Sequence, residues 1–164
     1  PKRRPFRGRQ KRGMTADTTF QVFNALAPVF WLALIVAPRS KLIRRVILSG
    51  GAVAILAAGY FAVVAAHFNF EGADFTSLNG VMALLNDPWA MTAGWIHYLA
   101  FDLLAGLVIT QKGLDLNIHR LVMLPCQLAT FMLGPVGVVL FVLVAKAHRK
   151  KWSELSLNGA GGRA

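Results

Sequence analysis

The sequence is short of charge, and shortest of acid. Charged residues make up only 15% of the 164, and Asp and Glu number 7 against 18 Lys and Arg. Soluble domains carry about a quarter charged residues, so a chain that faces water all over is excluded. There is one cysteine, Cys126, so no intrachain disulfide framework exists. Set in an apolar run, it reads as a small core residue and not as a nucleophile. The four histidines, His67, His97, His119 and His148, are scattered, and no pair has the close helical spacing of a metal site. Di-iron hydroxylases and desaturases need clustered histidines and are excluded on that ground. No glycine-rich phosphate loop, dinucleotide fingerprint or G-x-S-x-G elbow occurs. The chain is therefore expected to carry no redox cofactor of its own.

What is present is apolar sequence in long blocks. Hydrophobic residues make up 55%, and the mean hydropathy is +0.52. Four blocks stand out: 19–37, closed by Pro38, then 46–68, 92–111 and 121–147. Each approaches the ~20 residues that cross ~30 Å of hydrocarbon as a helix. The expected fold is all-α, an integral membrane bundle of four transmembrane helices. A short interfacial helix over 77–85 is expected between the second and third, with Ser77 as N-cap and Pro88 as a stop. This divides the chain into a basic N-terminal arm (1–18), a four-helix membrane domain (19–147) and a basic, Gly-rich tail (148–164). Asn24 and Pro28 predict a kink in the first block. Gly50, Ala54, Ala58 and Ala62 form a small-residue row that predicts close helix packing.

The net charge of +11 would suggest nucleic acid on a soluble protein. Here the basic residues sit in the termini and short loops and do not interleave with aromatics. Anionic lipid headgroups, or acidic faces of neighbouring proteins, are the expected partners, and nucleic acid is not. The arm residues Lys2, Arg3, Arg4, Arg7, Arg9, Lys11 and Arg12 are the candidates for that contact. Four spans would put both termini on one side. The arm and tail then hold 12 Lys and Arg against 6 in the two basic loops, which favours cytoplasmic termini. The loop 38–45, with its four cations, runs against that choice. The expected location is a multi-pass protein of a bacterial inner or intracytoplasmic membrane.

The third block carries the chemistry. Asp102 lies near its centre, where a carboxylate costs ~2.5–3.5 kcal/mol on insertion scales and calls for a partner or a cavity. An apolar setting favours the neutral acid. His97, five residues earlier, sits about 140° away around a helix. The two do not share a narrow face but can border a wide groove. Tyr98 is four residues before Asp102 and shares its face. Elsewhere, Asn24 and Trp31 are seven apart on one face of the first block. Cys126, Thr130 and Gly134 form a row in the fourth, with Gln127 adjacent. The run GPVG at 134–137 loosens that helix and frees backbone carbonyls for a protonated acid. From the residues alone, Asp102 is either a proton donor or a bundle-locking hydrogen bond.

The runs SLNGVMALLNDPWAMTAGWIHYLAFDLLAG and LPCQLATFMLGPVGVVLF resemble the family of plant neoxanthin synthases named for abscisic-acid-deficient mutants, together with their bacterial relatives. The resemblance covers 20–147. It implies four membrane spans and isomerisation of an epoxide to an allene on a xanthophyll, with no net redox change. It also implies carotenoid as the bound molecule. Trp95, His97 and Asp102 match the family's core, with Asp102 as acid and His97 as base. Trp95, Tyr98 and Phe101, with Asn24, Trp31 and Thr130, would line a groove for the pigment. Asn79 departs from the pattern, in which glutamate is more usual, and this weakens a catalytic part for the loop. The alternative is a non-catalytic accessory subunit of a photosynthetic pigment-protein complex, a reaction centre–light-harvesting assembly, held by its basic arm.

Overall fold

Thr15 opens the first helix: its side chain accepts from the Thr18 amide at 3.1 Å, which satisfies one of the free donors of the first turn. The helix, α1, runs Ala16–Val36 through Pro28, which costs the Asn24 carbonyl its helical partner. It belongs to a computed structural model that describes residues 14–67 and 73–160, with side chains described as far as Arg149. The arm cations from Lys2 to Arg12 lie outside the described residues.

After Pro38 the chain turns at once. A single turn α2 (Lys41–Ile43) feeds a π-helical stretch, Arg44–Leu48, and then α3 (Gly51–His67). The expected basic loop 38–45 is thus largely helical, and the second candidate span starts at Lys41 instead of at 46. The wide π-turn and Gly50, at φ 92°, absorb the change of direction between the cationic turn and the apolar helix. Helix α4 (Leu78–Leu85) stands where the short helix was expected, and Ser77 caps it by accepting from the Gly80 amide at 3.0 Å. Helix α4 ends at Leu85, just ahead of Pro88 as expected, and Pro88 is also a start. It is the first residue of α5 (Pro88–Asp115), whose N-cap Asp87 accepts from the Trp89 and Ala90 amides, both at 2.9 Å. A proline ring suits that position because its missing N–H has no helical partner there anyway.

Helix α5 is the axis of the fold. It packs against α3, α1 and α6, and Ile96, Leu103, Leu107 and Ile109 are buried along it. Two glycines allow close approach. The Trp31 ring of α1 fills the space where a side chain on Gly106 would stand, and the Phe23 ring does the same at Gly59 of α3. The expected small-residue row does not serve this packing: Ala54, Ala58 and Ala62 face outward, exposed. Periodicity alone gave a face without saying which way it pointed.

The fourth block departs most from expectation. It is two helices, α6 (Arg120–Leu133) and α7 (Pro135–Ala160), joined at Gly134. The chain doubles back there. Phe141 and Val138 of α7 pack against Cys126 and Met123 of α6, and His148 Nε2 meets the Leu116 carbonyl at 3.0 Å, beside the start of α6. Among the described residues three helical segments are long and apolar enough to cross a membrane, Ala16–Val36, Lys41–His67 and Pro88–Asp115, while α6 has only 14 residues. At 1.5 Å per residue α6 is about 21 Å long, too short for a ~30 Å hydrocarbon core. The described residues therefore give three candidate spans and not clearly the expected four, and the fourth block is a helical hairpin. The physical cause is local: Gly134 takes φ 47°, and Pro135 cannot donate to continue α6.

The hairpin also moves the chain's ends. The Thr92 hydroxyl touches the Ala16 carbonyl at 3.4 Å, which places the start of α1 beside the start of α5. His148 lies at the other end of α5. The start of α1 and the described end of α7 are on opposite ends of the bundle, not the same one. All the described Lys and Arg, from Arg39 to Arg149, collect at the α7 end, together with Asp115. Asp17, Asp74 and Asp87 lie at the other end.

Candidate functional site

One stripe of α5 carries Trp95, Tyr98, Asp102 and Gly106, at the three- and four-residue spacing of a helical face. Gly106 receives Trp31, whose own ring meets Phe131 of α6 at 5.4 Å between centroids. One step up is Asp102, 8% exposed and halfway along the 28-residue helix. Its carboxyl faces the hairpin tip: a side-chain carbon on Gly134 would lie 2.6 Å from Oδ1. Oδ2 is buried with no hydrogen-bond partner among the described residues. Buried side-chain oxygens are nearly always paired, so this atom asks for a reason.

Tyr98, one turn above, lies close enough to the Asp102 carboxyl to interact with it, and its hydroxyl donates to the Met132 carbonyl at 3.4 Å. That carbonyl is one of those left free where α6 ends. Above Tyr98 the Trp95 indole N–H donates to Asn24 Oδ1 at 3.1 Å, and its ring packs on Phe20 and Tyr98 at 5.6 and 5.4 Å. Trp95 and Tyr98 are only half-buried and Asn24 is exposed, because the hairpin ends at their level and covers nothing beyond it. The result is a partly open aromatic track that leads down one face of α5 to a buried acid.

Thr130 belongs to the same region from the hairpin side. It is fully buried, and its hydroxyl donates to the Cys126 carbonyl at 2.8 Å. Gly137 of α7 packs directly on it, with no room for a side chain. The row Cys126, Thr130 and Gly134 is thus the seam along which α7 folds back. Six expected site residues, Asn24, Trp31, Trp95, Tyr98, Asp102 and Thr130, converge around α5 and the hairpin tip.

His97 and Phe101 do not join them. The five-residue step turns His97 to the α3 side, where its ring meets Tyr60 at 5.5 Å and Phe101 at 4.5 Å. It borders a separate apolar groove of about 300 Å3 with Tyr60, Val64, Leu84 and Gly94. Asp102 and His97 therefore form no acid–base pair within one site. Among the described residues no group of three His, Cys, Asp or Glu could hold a metal.

Several contacts escaped sequence reasoning. The Arg120 guanidinium donates to the carbonyls of Ile35 and Val36 at 2.5 and 2.6 Å and so caps the end of α1. Gln127 donates to Thr110 at 2.8 Å, both deeply buried. The sequence places Gln127 beside the Cys126 row, but nothing in it marks Thr110 as its partner. A family model described as ABA DEFICIENT 4-like matches residues 18–141. The chain belongs to that family. The ABA DEFICIENT 4-like region runs from the first turn of α1 through α6 to the first turns of α7, and so takes in the hairpin tip with Asp102. No curated protein and no solved structure gives a significant match to the chain.

Proposed function

We propose that this ABA DEFICIENT 4-like protein holds a xanthophyll in the bilayer and isomerises it by proton transfer at Asp102. The observation that supports this most is the buried Oδ2 atom, without a partner among the described residues, at the foot of an aromatic track open to lipid. In its protonated form Asp102 donates to an epoxide oxygen as the C–O bond breaks. The carboxylate then takes a proton from a neighbouring carbon, so the acid is regenerated and no electrons are gained or lost. Tyr98 positions the carboxyl, and Trp95 flanks the polyene. His97 has no step in this scheme. Intramembrane acids are functional by default because they are expensive.

A second reading is a non-catalytic subunit of a pigment-protein complex. The outward row of Ala54, Ala58 and Ala62 supports it, since small residues let a partner helix approach. In either case the basic end is the cytoplasmic one under the positive-inside rule, with the start of α1 on the opposite side. Gentle detergent purification from a membrane containing epoxy-xanthophylls, with pigment extraction and protein identification, tests both. A small particle with converted or bound xanthophyll supports the first reading. A large coloured assembly supports the second. A colourless particle and unchanged membrane pigments would overturn both.

A further inference from the structure

At the basic end of the bundle, a cavity of about 360 Å3 lies where the end of α1, the end of α5 and the start of α6 meet. It begins a turn beyond the Gly106 end of the Asp102 stripe, and the proposed isomerisation does not use it. Its floor is polar and closed off: Thr110 and Gln127 line it, at 2% and 4% exposure. The Thr110 hydroxyl donates to the Gly106 carbonyl at 2.7 Å and accepts from Gln127 Nε2 at 2.8 Å. The Gln127 carboxamide oxygen accepts no hydrogen bond among the described residues. The floor thus offers one acceptor. Leu114 and Ile118 make the walls apolar.

The rim is cationic. Arg120 commits one guanidinium nitrogen to the end of α1 and keeps its other N–H groups. Arg39 is exposed and makes no hydrogen bond or ion pair among the described residues. His119 Nδ1 accepts from the Leu121 amide at 3.3 Å, which leaves Nε2 as the protonated, donating nitrogen. No carboxylate lines the cavity; Asp115, in the same turn, borders a different pocket with His148. Donors at the mouth and an acceptor at the floor select an anion that also carries a hydroxyl. Two arginine forks at the mouth suit a phosphate more than a single point charge would.

We propose that this cavity binds a phosphate-bearing polyol, the chemistry of an anionic glycerophospholipid headgroup. The phosphate sits between Arg39 and Arg120, and a glycerol hydroxyl donates to Gln127. A soluble phosphate ester shares this chemistry. The apolar walls, and the position at the end where the cations collect, favour the lipid.

The full chain in a neutral detergent, stripped of lipid, is titrated with phosphatidylglycerol, phosphatidylcholine and sn-glycerol 3-phosphate. Thermal stability and native mass spectrometry are the readouts. Phosphatidylglycerol is expected to raise the Tm and to be retained as one molecule per chain, while phosphatidylcholine does neither. Arg39→Gln should bind it about fivefold more weakly, the weight of one interfacial cation. Ser40→Asp provides a second variant. It places a favoured N-cap residue at the start of α2, where Ser40 makes no capping bond, and brings a negative charge to the rim. It should weaken binding at least as much while the lipid-free Tm is kept. Glycerol 3-phosphate acting alone as well as the lipid would uphold the cavity's chemistry and make its source soluble. Equal binding of phosphatidylcholine, or undiminished binding by both variants, would overturn the proposal.

Discussion

Gly134 meets Asp102 with no space between them: the position of a side-chain carbon on the glycine lies 2.6 Å from the carboxyl Oδ1. The tip of a half-length hairpin is thereby fixed against the one acid buried among the described residues. Gly134→Ala should therefore be costly twice over. It forces a side chain into φ 47° and into the carboxyl. A loss of about 1–3 kcal/mol is expected from the strained backbone alone. Gly94→Ala is the control, since only the Leu85 side chain lies near, at 3.8 Å. Thermal unfolding in detergent compares them, and equal Tm values for the two variants would contradict the tip geometry.

The doubled-back course of α7 makes a distance prediction. Asp115 and Arg149 border one pocket. Spin labels on cysteines at these two positions, in a Cys126→Ser background, should lie within about 20 Å. Were residues 120–149 one straight helix, the labels would be more than about 40 Å apart at 1.5 Å per residue. Pulsed electron paramagnetic resonance in lipid separates the two cases.

Arg120→Gln removes the fork that holds the Ile35 and Val36 carbonyls. Because Arg120 is exposed, the expected loss is modest, about 1 kcal/mol. Amide exchange should locate it at the end of α1. A loss spread evenly over the bundle would argue against a capping role.

The loop before α4 has a defined acid response. Hydrogen bonds from Ser77 and Thr76 hold Asp74 down to about 2 from its ordinary 3.8. The lowered value means that its contribution to folding is complete above about pH 3.8 and is lost as pH falls through about 2. The Thr76 amide, which donates to Asp74 Oδ1 at 2.8 Å, should stay protected at pH 3 and lose protection near pH 2. Loss of protection already at pH 4 would show that the bonds do not form.

Much of this was legible in the sequence. Block lengths gave three of the helices to within a few residues, and the Ser77 cap gave α4, because both depend on local chemistry. Asp102 stood out because an acid in an apolar run has few bland explanations. Its neighbour Tyr98 followed from helical spacing, and Trp95 from the family resemblance. What the sequence hid was tertiary. The GPVG run marked a loosened helix, but only packing of α7 against Cys126 and Thr130 turns a kink into a reversal. The same reversal moves the described end of α7 away from the start of α1, while the five-residue step along α5 turns His97 toward α3 and away from Asp102. Pro88 follows the end of α4 and also starts α5, because a proline stops one helix and starts another with equal ease; Asp87 before it is the signal for the second role.

The most direct test is Asp102→Asn, in a host that supplies an epoxy-xanthophyll, with pigments separated by chromatography and normalised to the amount of folded protein. The asparagine keeps the size of the side chain and lacks an acid proton to give. Isomerised product per folded chain should fall at least about 100-fold, the usual worth of a general acid, while the Tm stays within a few degrees of the parent's. Unchanged product from a folded Asp102→Asn protein would contradict the role given to Asp102.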